Sequence, residues 1–138
     1  MLFSKKVNFE IKLYTSADKL LEDNLIESIN LNCQFIVFSD IGKKYNVRDI
    51  IFMQSDDHYV DIVTDVTKGT VRDSLNSIEK SYSHYGFIRI HSRYLVNYRY
   101  IYSIESSTVV LTNKQQLPMS RSKSNSVKEA FLFFSRRL

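Results

Sequence analysis

The hydrophobic period of this chain changes once, near residue 33, and that change constrains the fold more than any other feature. Before it, Leu20, Leu21, Leu25, Ile26 and Ile29 recur at helical spacing. After it, apolar side chains return at every second position through QFIVFS (34–39) and HYVDIVT (58–64). Between these, DIIFMQ (49–54) is apolar almost throughout, as a strand covered on both faces would be. A chain patterned this way must build sheet. Its first part must dock on something, because a short amphipathic unit cannot cover its own apolar face.

That first part reads as a strand followed by a helix. Val7, Phe9, Ile11 and Leu13 alternate with Asn8, Glu10 and Lys12. Ser16 is suited to cap a helix, Asp18 falls in its first turn, and the helical spacing runs to about Leu31. The chain therefore divides into a strand–helix extension, residues 1–33, and a main domain, residues 34–138. The extension could serve dimerisation, a regulatory contact, or completion of the sheet.

Further along, the turn Asp40–Lys43 needs Gly42 at positive φ. A strand follows at Lys44–Val47, another at Asp49–Gln54, and Ser55–Asp57 turns the chain into His58–Thr64. Val71–Tyr82 has helical spacing at Leu75, Ile78 and Tyr82. Phe87–His91 alternates apolar and basic residues. Val109–Thr112 and Leu117–Ser120, joined at Asn113–Lys114, form a hairpin pattern. Val127, Phe131 and Phe134 share one face of a final helix beginning at Ser124.

Charge is divided as unevenly as pattern. Residues 1–57 carry 7 Lys and Arg against 9 Asp and Glu, whereas residues 58–138 carry 12 against 6. From Lys80 to Lys128 there are eight bases and one acid, Glu105. Such a face suits a polyanion, and a solvated basic surface is the plain alternative. Apolar residues are 43% of the 138, enough for a folded core, and no run approaches the ~20 residues of a membrane span. The opening MLFSKKVNFEIKLY lacks an apolar signal region, so no signal peptide is expected. The single cysteine, Cys33, allows no internal disulfide and fits a reducing cytoplasm.

Catalytic and metal chemistry find little support. His58, His84, His91 and Cys33 show neither CxxC nor HxxxH spacing. His91 and Ser92 adjoin in sequence, which does not make a dyad, and no Gly-rich phosphate loop is present. The chain is expected to be no enzyme, with no cofactor, no metal and no small-molecule substrate.

The informative stretch is FIRIHSRYLVNYRY (87–100), where Arg89 and His91 emerge near the end of a strand. Polar and planar side chains at a strand end can reach base edges in a groove, while Ser and Arg reach phosphates. Asn97 could pair with adenine, but it sits in an apolar Leu-Val-Asn run. A structural role, its amide satisfying turn backbone, is the better reading.

Four segments in order carry a resemblance: DIIFMQSDDHYVDIVT (49–64), VRDSLNSIEK (71–80), FIRIHSRYLVNYRYIYSI (87–104) and VVLTNKQQLPMSRSKSNSVKEAF (109–131). Together they resemble the LytTR family of bacterial DNA-binding domains, over about residues 34–138. The resemblance implies a fold that is mainly β with small helices, an elongated array of short antiparallel sheets. It implies a sequence-specific regulator of transcription whose loops enter successive major grooves of double-stranded DNA and bend it. The family's base contacts carry over to His58, to Ser92 and to Arg121, with Arg89, His91, Arg93 and Lys123 as neighbouring DNA contacts.

Many members read His-Arg/Lys-Ser after the strand, whereas this chain reads His91-Ser92-Arg93. Either Arg93 supplies the groove contact, or it takes a phosphate and Ser92 makes a smaller one. A phosphorylatable receiver domain would need roughly a hundred more residues of α/β pattern before residue 34. By resemblance, members without one are often held inactive by a membrane protein; such an inhibitory membrane protein and a homodimer on direct repeats are the expected partners of this chain.

Two other classes of function compete. One is a β-platform for RNA or single strands, stacking bases on Tyr82, Tyr85, Tyr94, Tyr98, Tyr100 and Tyr102. The other is a protein-interaction module acting through residues 1–33.

Overall fold

The computed structural model describes residues 34–39 and 41–136, together with the backbone of two short strands near the start. The chain divides into two compact units, Met1–Cys33 and Gln34–Leu138. In the first, β1 (Leu2–Phe3) pairs antiparallel with β2 (Lys6–Phe9), Leu2 opposite Phe9. The strand expected over 7–13 thus begins at Lys6, and its later residues lie outside the described residues. So do the helix expected from Ser16 to Leu31, Cys33, and Asp40 in the first turn.

The second unit is mainly β. Its strands are β3 (Phe35–Phe38), β4 (Lys43–Asn46), β5 (Ile50–Asp56), β6 (Tyr59–Thr64) and β7 (Lys68–Arg72). Helix α1 (Leu75–Tyr82) leads to β8 (Phe87–His91), β9 (Tyr94–Asn97), β10 (Ile101–Ile104), β11 (Thr108–Leu111) and β12 (Gln116–Pro118). Helix α2 (Ser124–Ser135) follows. Among the described residues neither helix is long and apolar enough to cross a membrane.

The central sheet has the strand order β7-β6-β5-β9-β8, antiparallel throughout. Both its faces are covered, which is why β5 is apolar at consecutive positions. One core holds Ile50, Met53, Val60, Ile62 and Leu95 of the sheet with Ile36 and Tyr45 of the β3–β4 hairpin and Leu75 and Ile78 of α1. The other holds Ile51, Phe52, Ile88, Ile90 and Val96 with residues of the β10-β11-β12 sheet and Val127 of α2. Strict alternation would send Ile50 and Phe52 to one face. A register shift between them inserts a residue, so Ile51 and Phe52 share the second core while Ile50 and Met53 share the first.

The expected hairpin around Asn113–Lys114 forms, with Lys114 at φ 74, and Gly42 takes φ 61. Two expected boundaries are corrected. The turn placed at Ser55–Asp57 lies at Asp57–His58, because Ser55 is still bonded across the sheet, its N–H donating to the Arg93 carbonyl at 3.0 Å. The helix expected over Val71–Tyr82 starts only at Leu75. Buried Val71 pairs with Val60 in β7, and the Ser74 hydroxyl accepts the Ser77 N–H at 3.1 Å, capping the shorter helix.

Candidate nucleic-acid interface

Two tight hairpins turn at the same end of the central sheet. In the first, Asp56 pairs with Tyr59, leaving Asp57 and His58 as a two-residue turn. Asp57 sits at φ 59, a conformation that Asp tolerates better than most residues. His58 is exposed, its ring 3.8 Å from the Asp57 carboxylate. The exposed acids Asp56 and Asp57 make this tip repulsive toward phosphate.

The second hairpin pairs His91 with Tyr94 and leaves Ser92 and Arg93 as its turn, both exposed. Because β5 and β9 are neighbours, this turn stands beside the first. Ser55 N–H donates to the Arg93 carbonyl, and the Arg93 guanidinium reaches the Ser55 carbonyl at 3.3 Å. The Arg93 backbone N–H also donates to His91 Nδ1 at 3.2 Å. That bond requires an unprotonated Nδ1, so the neutral ring carries its proton on Nε2 and offers it as a donor.

A third element joins them from far along the chain. The Ser120 N–H donates to the Ile90 carbonyl at 2.9 Å, so the segment after β12 runs beside edge strand β8. Arg121, the next residue, is exposed at the start of a 3-10 turn, Arg121–Lys123. It therefore lies at the same end of the sheet as His91 and Ser92. Lys123 is half-buried and lines a cleft of about 330 Å³ with Glu79, Arg89, Phe87 and Val127. Its side chain borders the α1–α2 side of β8.

Arg89 does not fit its expected role as a DNA contact. Its side chain is only 13% exposed. Nε–H donates to the His91 carbonyl at 2.8 Å and an Nη2–H to the Ser92 carbonyl at 2.6 Å. Nη1 donates to Asn76 Oδ1 at 2.9 Å and to Glu79 Oε1 at 2.8 Å. Four of its five N–H groups are occupied inside the protein. The cause is topological: α1 packs over the sheet face toward which Arg89 points.

Asn97 is fully buried and structural. Its amide N–H groups donate to the carbonyls of Val47 and Ile50 at 3.0 and 2.9 Å, and its Oδ1 accepts the Arg99 N–H at 3.1 Å. The six tyrosines do not assemble a stacking platform. Tyr82 and Tyr85 pack against one core, and Tyr94, Tyr98 and Tyr100 against the other. Tyr98 stacks on Phe134 with ring centres 5.4 Å apart, and the Tyr100 hydroxyl donates to the Arg48 carbonyl. Of the six, Tyr102 is the exposed one.

Three positions escaped the reading of the sequence. Arg72 ends β7 opposite Tyr59, at the same sheet end as both hairpin turns. Asn76 and Glu79 hold Arg89 from α1. Spacing of i, i+3 put these two on one helix face, but nothing local announces a partner ten or more residues away.

The model of the LytTr DNA-binding domain family matches residues 42–132. The sensory transduction protein LytT of Bacillus subtilis (strain 168) is 32% identical over 89 residues, covering 61% of this chain and 37% of that protein. The chain thus spans little more than a third of the length of that curated relative. Among solved structures, the LytTr DNA-binding domain of a methyl-accepting/DNA response regulator from Bacillus cereus has a similar fold. Its TM-score is 0.58 at 21% identity, over 73% of this chain and 96% of that one. With the four ordered motifs and the β-rich fold, the match over residues 42–132 leads to one conclusion: the chain belongs to the LytTR family of DNA-binding domains.

Proposed function

We propose that the chain is a sequence-specific regulator of transcription that grips double-stranded DNA with the sheet end formed by Asp57–His58, Ser92–Arg93 and Arg121. The observation that carries this reading is the convergence of those three elements through the backbone bonds Ser55–Arg93 and Ser120–Ile90. Hairpin strands lie about 4.8 Å apart, so a two-residue tip fits a major groove about 12 Å wide. Arg121 is assigned to guanine, the commonest specific pairing of an arginine. Arg93 carries more binding energy than Ser92, having a fixed charge and a fork of donors. His58, preceded by two acids, approaches base edges and not phosphates, and the His91 Nε2–H faces an acceptor. Lys123 supplies charge.

Three and a half strand spacings separate the His58 tip from Arg121, about 17 Å. Major grooves on one face of straight duplex recur about every 34 Å. Engaging successive grooves therefore favours a bent duplex. Within this reading the protein works in the cytoplasm, residues 1–33 serve dimerisation or a regulatory contact, and control comes from a homodimer on direct repeats or an inhibitory membrane protein.

Selection of bound duplexes from a random pool tests the proposal. A defined site should emerge, and log affinity should fall against log salt with a slope on the order of −4 per protomer. Arg121→Ala should relax one base position at a cost of about 1–3 kcal/mol, whereas Lys123→Ala should weaken all sequences alike. A slope near zero, or equal loss on selected and random duplexes in Arg121→Ala, refutes the assignment.

A further inference from the structure

We infer that Arg89 is the positioning residue of the DNA-reading turn, a clamp that fixes Ser92 and Arg93 from helix α1. The inference rests on the proposed role of that turn in binding duplex DNA. A two-residue turn contains the peptides that join His91 to Ser92 and Ser92 to Arg93. Arg89 holds the carbonyl of each, with Nε–H on His91 and an Nη2–H on Ser92. The opposite edge of the same guanidinium is held by Asn76 and Glu79. A planar fork can bridge two walls in this way, whereas an ammonium is a single point and cannot span them.

The anchor is firm because α1 is. Leu75 and Ile78, on the same short helix, are buried in the core. A register shift between Arg89 and His91 aids the arrangement, since a bulge at a sheet edge re-aims the side chains beside it. The turn is then held on both sides. Arg89 grips it from α1, and the Ser55 N–H grips the Arg93 carbonyl from β5. Neither grip engages the Arg93 guanidinium tip through charge, so the clamp sets where that group points without neutralising it. Glu79 keeps the Arg89 charge compensated, which removes it from the attraction to phosphate.

The test uses the full chain with Arg89→Lys, Arg89→Ala and Glu79→Gln. In the protein without DNA, amide exchange at Ser55 and Arg93 should rise about tenfold in Arg89→Lys and Glu79→Gln, with the core amides of β5 and β9 unchanged. On duplexes, both variants should lose about tenfold of the preference for the selected site over random sequence, with the salt slope unaltered in the charge-conserving Arg89→Lys. A direct phosphate contact gives a different pattern. Arg89→Lys would then bind nearly normally, and Arg89→Ala would lower the slope by about 0.9 and weaken all sequences. A purely structural role would lower the melting temperature of Glu79→Gln and reduce all binding with the folded fraction. Either pattern overturns the inference. If the native chain shows no preference among duplexes, the proposed function fails, and the exchange measurement still decides the clamp. Unchanged exchange at Ser55 and Arg93 refutes it.

Discussion

Replacing Asn97 separates a residue that holds the fold from one that reads DNA. Its amide bonds the Val47 and Ile50 carbonyls, fifty and forty-seven residues away in sequence, and so ties the end of β9 to the turn that precedes β5. Asn97→Ala strands two buried carbonyls, at about 1–2 kcal/mol each, and opens a small cavity worth roughly 1 kcal/mol more. The total, about 3–5 kcal/mol, is a large part of the stability of an ordinary domain. For a unit of this size it corresponds to a fall in melting temperature of roughly 12–25 °C.

The assay is urea unfolding, where the midpoint should drop at constant slope. Selection from random duplexes, with the protein kept folded at low temperature, should return the same site as the native chain. Asn97→Asp sharpens the test. It keeps the shape but turns a carboxylate onto two carbonyl oxygens, which raises the folded pKa above the roughly 3.9 of an unfolded Asp. Below about pH 4 the protonated acid still donates to one of the two carbonyls, so the penalty is that of one stranded carbonyl, about 1–2 kcal/mol, and it grows as pH rises through the folded pKa. The reasoning is refuted if Asn97→Ala stays within about 1 kcal/mol of the native protein yet loses choice at an adenine.

Three further outcomes follow from single contacts. Gly86 lies at φ 106 with its missing Cβ only 2.5 Å from the Tyr98 ring, so Gly86→Ala should cost at least about 2 kcal/mol in thermal unfolding. Gly42→Ala should cost less, because at φ 61 no described atom lies within 4 Å of the added carbon; equal losses would remove the steric argument. The Tyr45 hydroxyl is buried with no partner among the described residues, so Tyr45→Phe should be neutral or stabilising by up to about 1 kcal/mol. A clear destabilisation in urea would show that the hydroxyl is satisfied. Tyr82 and Tyr100 are raised above the ordinary tyrosine value, first by burial and then by nearby Tyr85 and Asp73, or Asp49 and Asp65. Both stay neutral in the folded state while the unfolded chain ionises, so stability should hold below about pH 10 and decline above it. Absorbance titration compared with Tyr82→Phe and Tyr100→Phe should place these two phenols late, and ionisation of either at the ordinary tyrosine value would contradict the packing.

Most of the strand list was legible in the sequence alone, because a two-residue apolar period buries one face of a strand, and the class of fold followed from the four motifs through the resemblance they carry. The turns at Gly42 and at Asn113–Lys114 were legible for another reason: turn chemistry is local. The structural role of Asn97 was readable in kind, from its apolar neighbours, but its partners were not. Tertiary structure alone decided where the polar side chains of β8 go. Arg89 and Arg93 are both arginines near one turn, and period two cannot say that the first meets Asn76 and Glu79 while the second is exposed. It also joined Arg121 to the turns, through a single bond between Ser120 and Ile90 thirty residues apart. Local pattern reports which face of an element is buried. The partner across that face is chosen by packing of the whole domain, and a site built from distant strand ends is invisible until those ends meet.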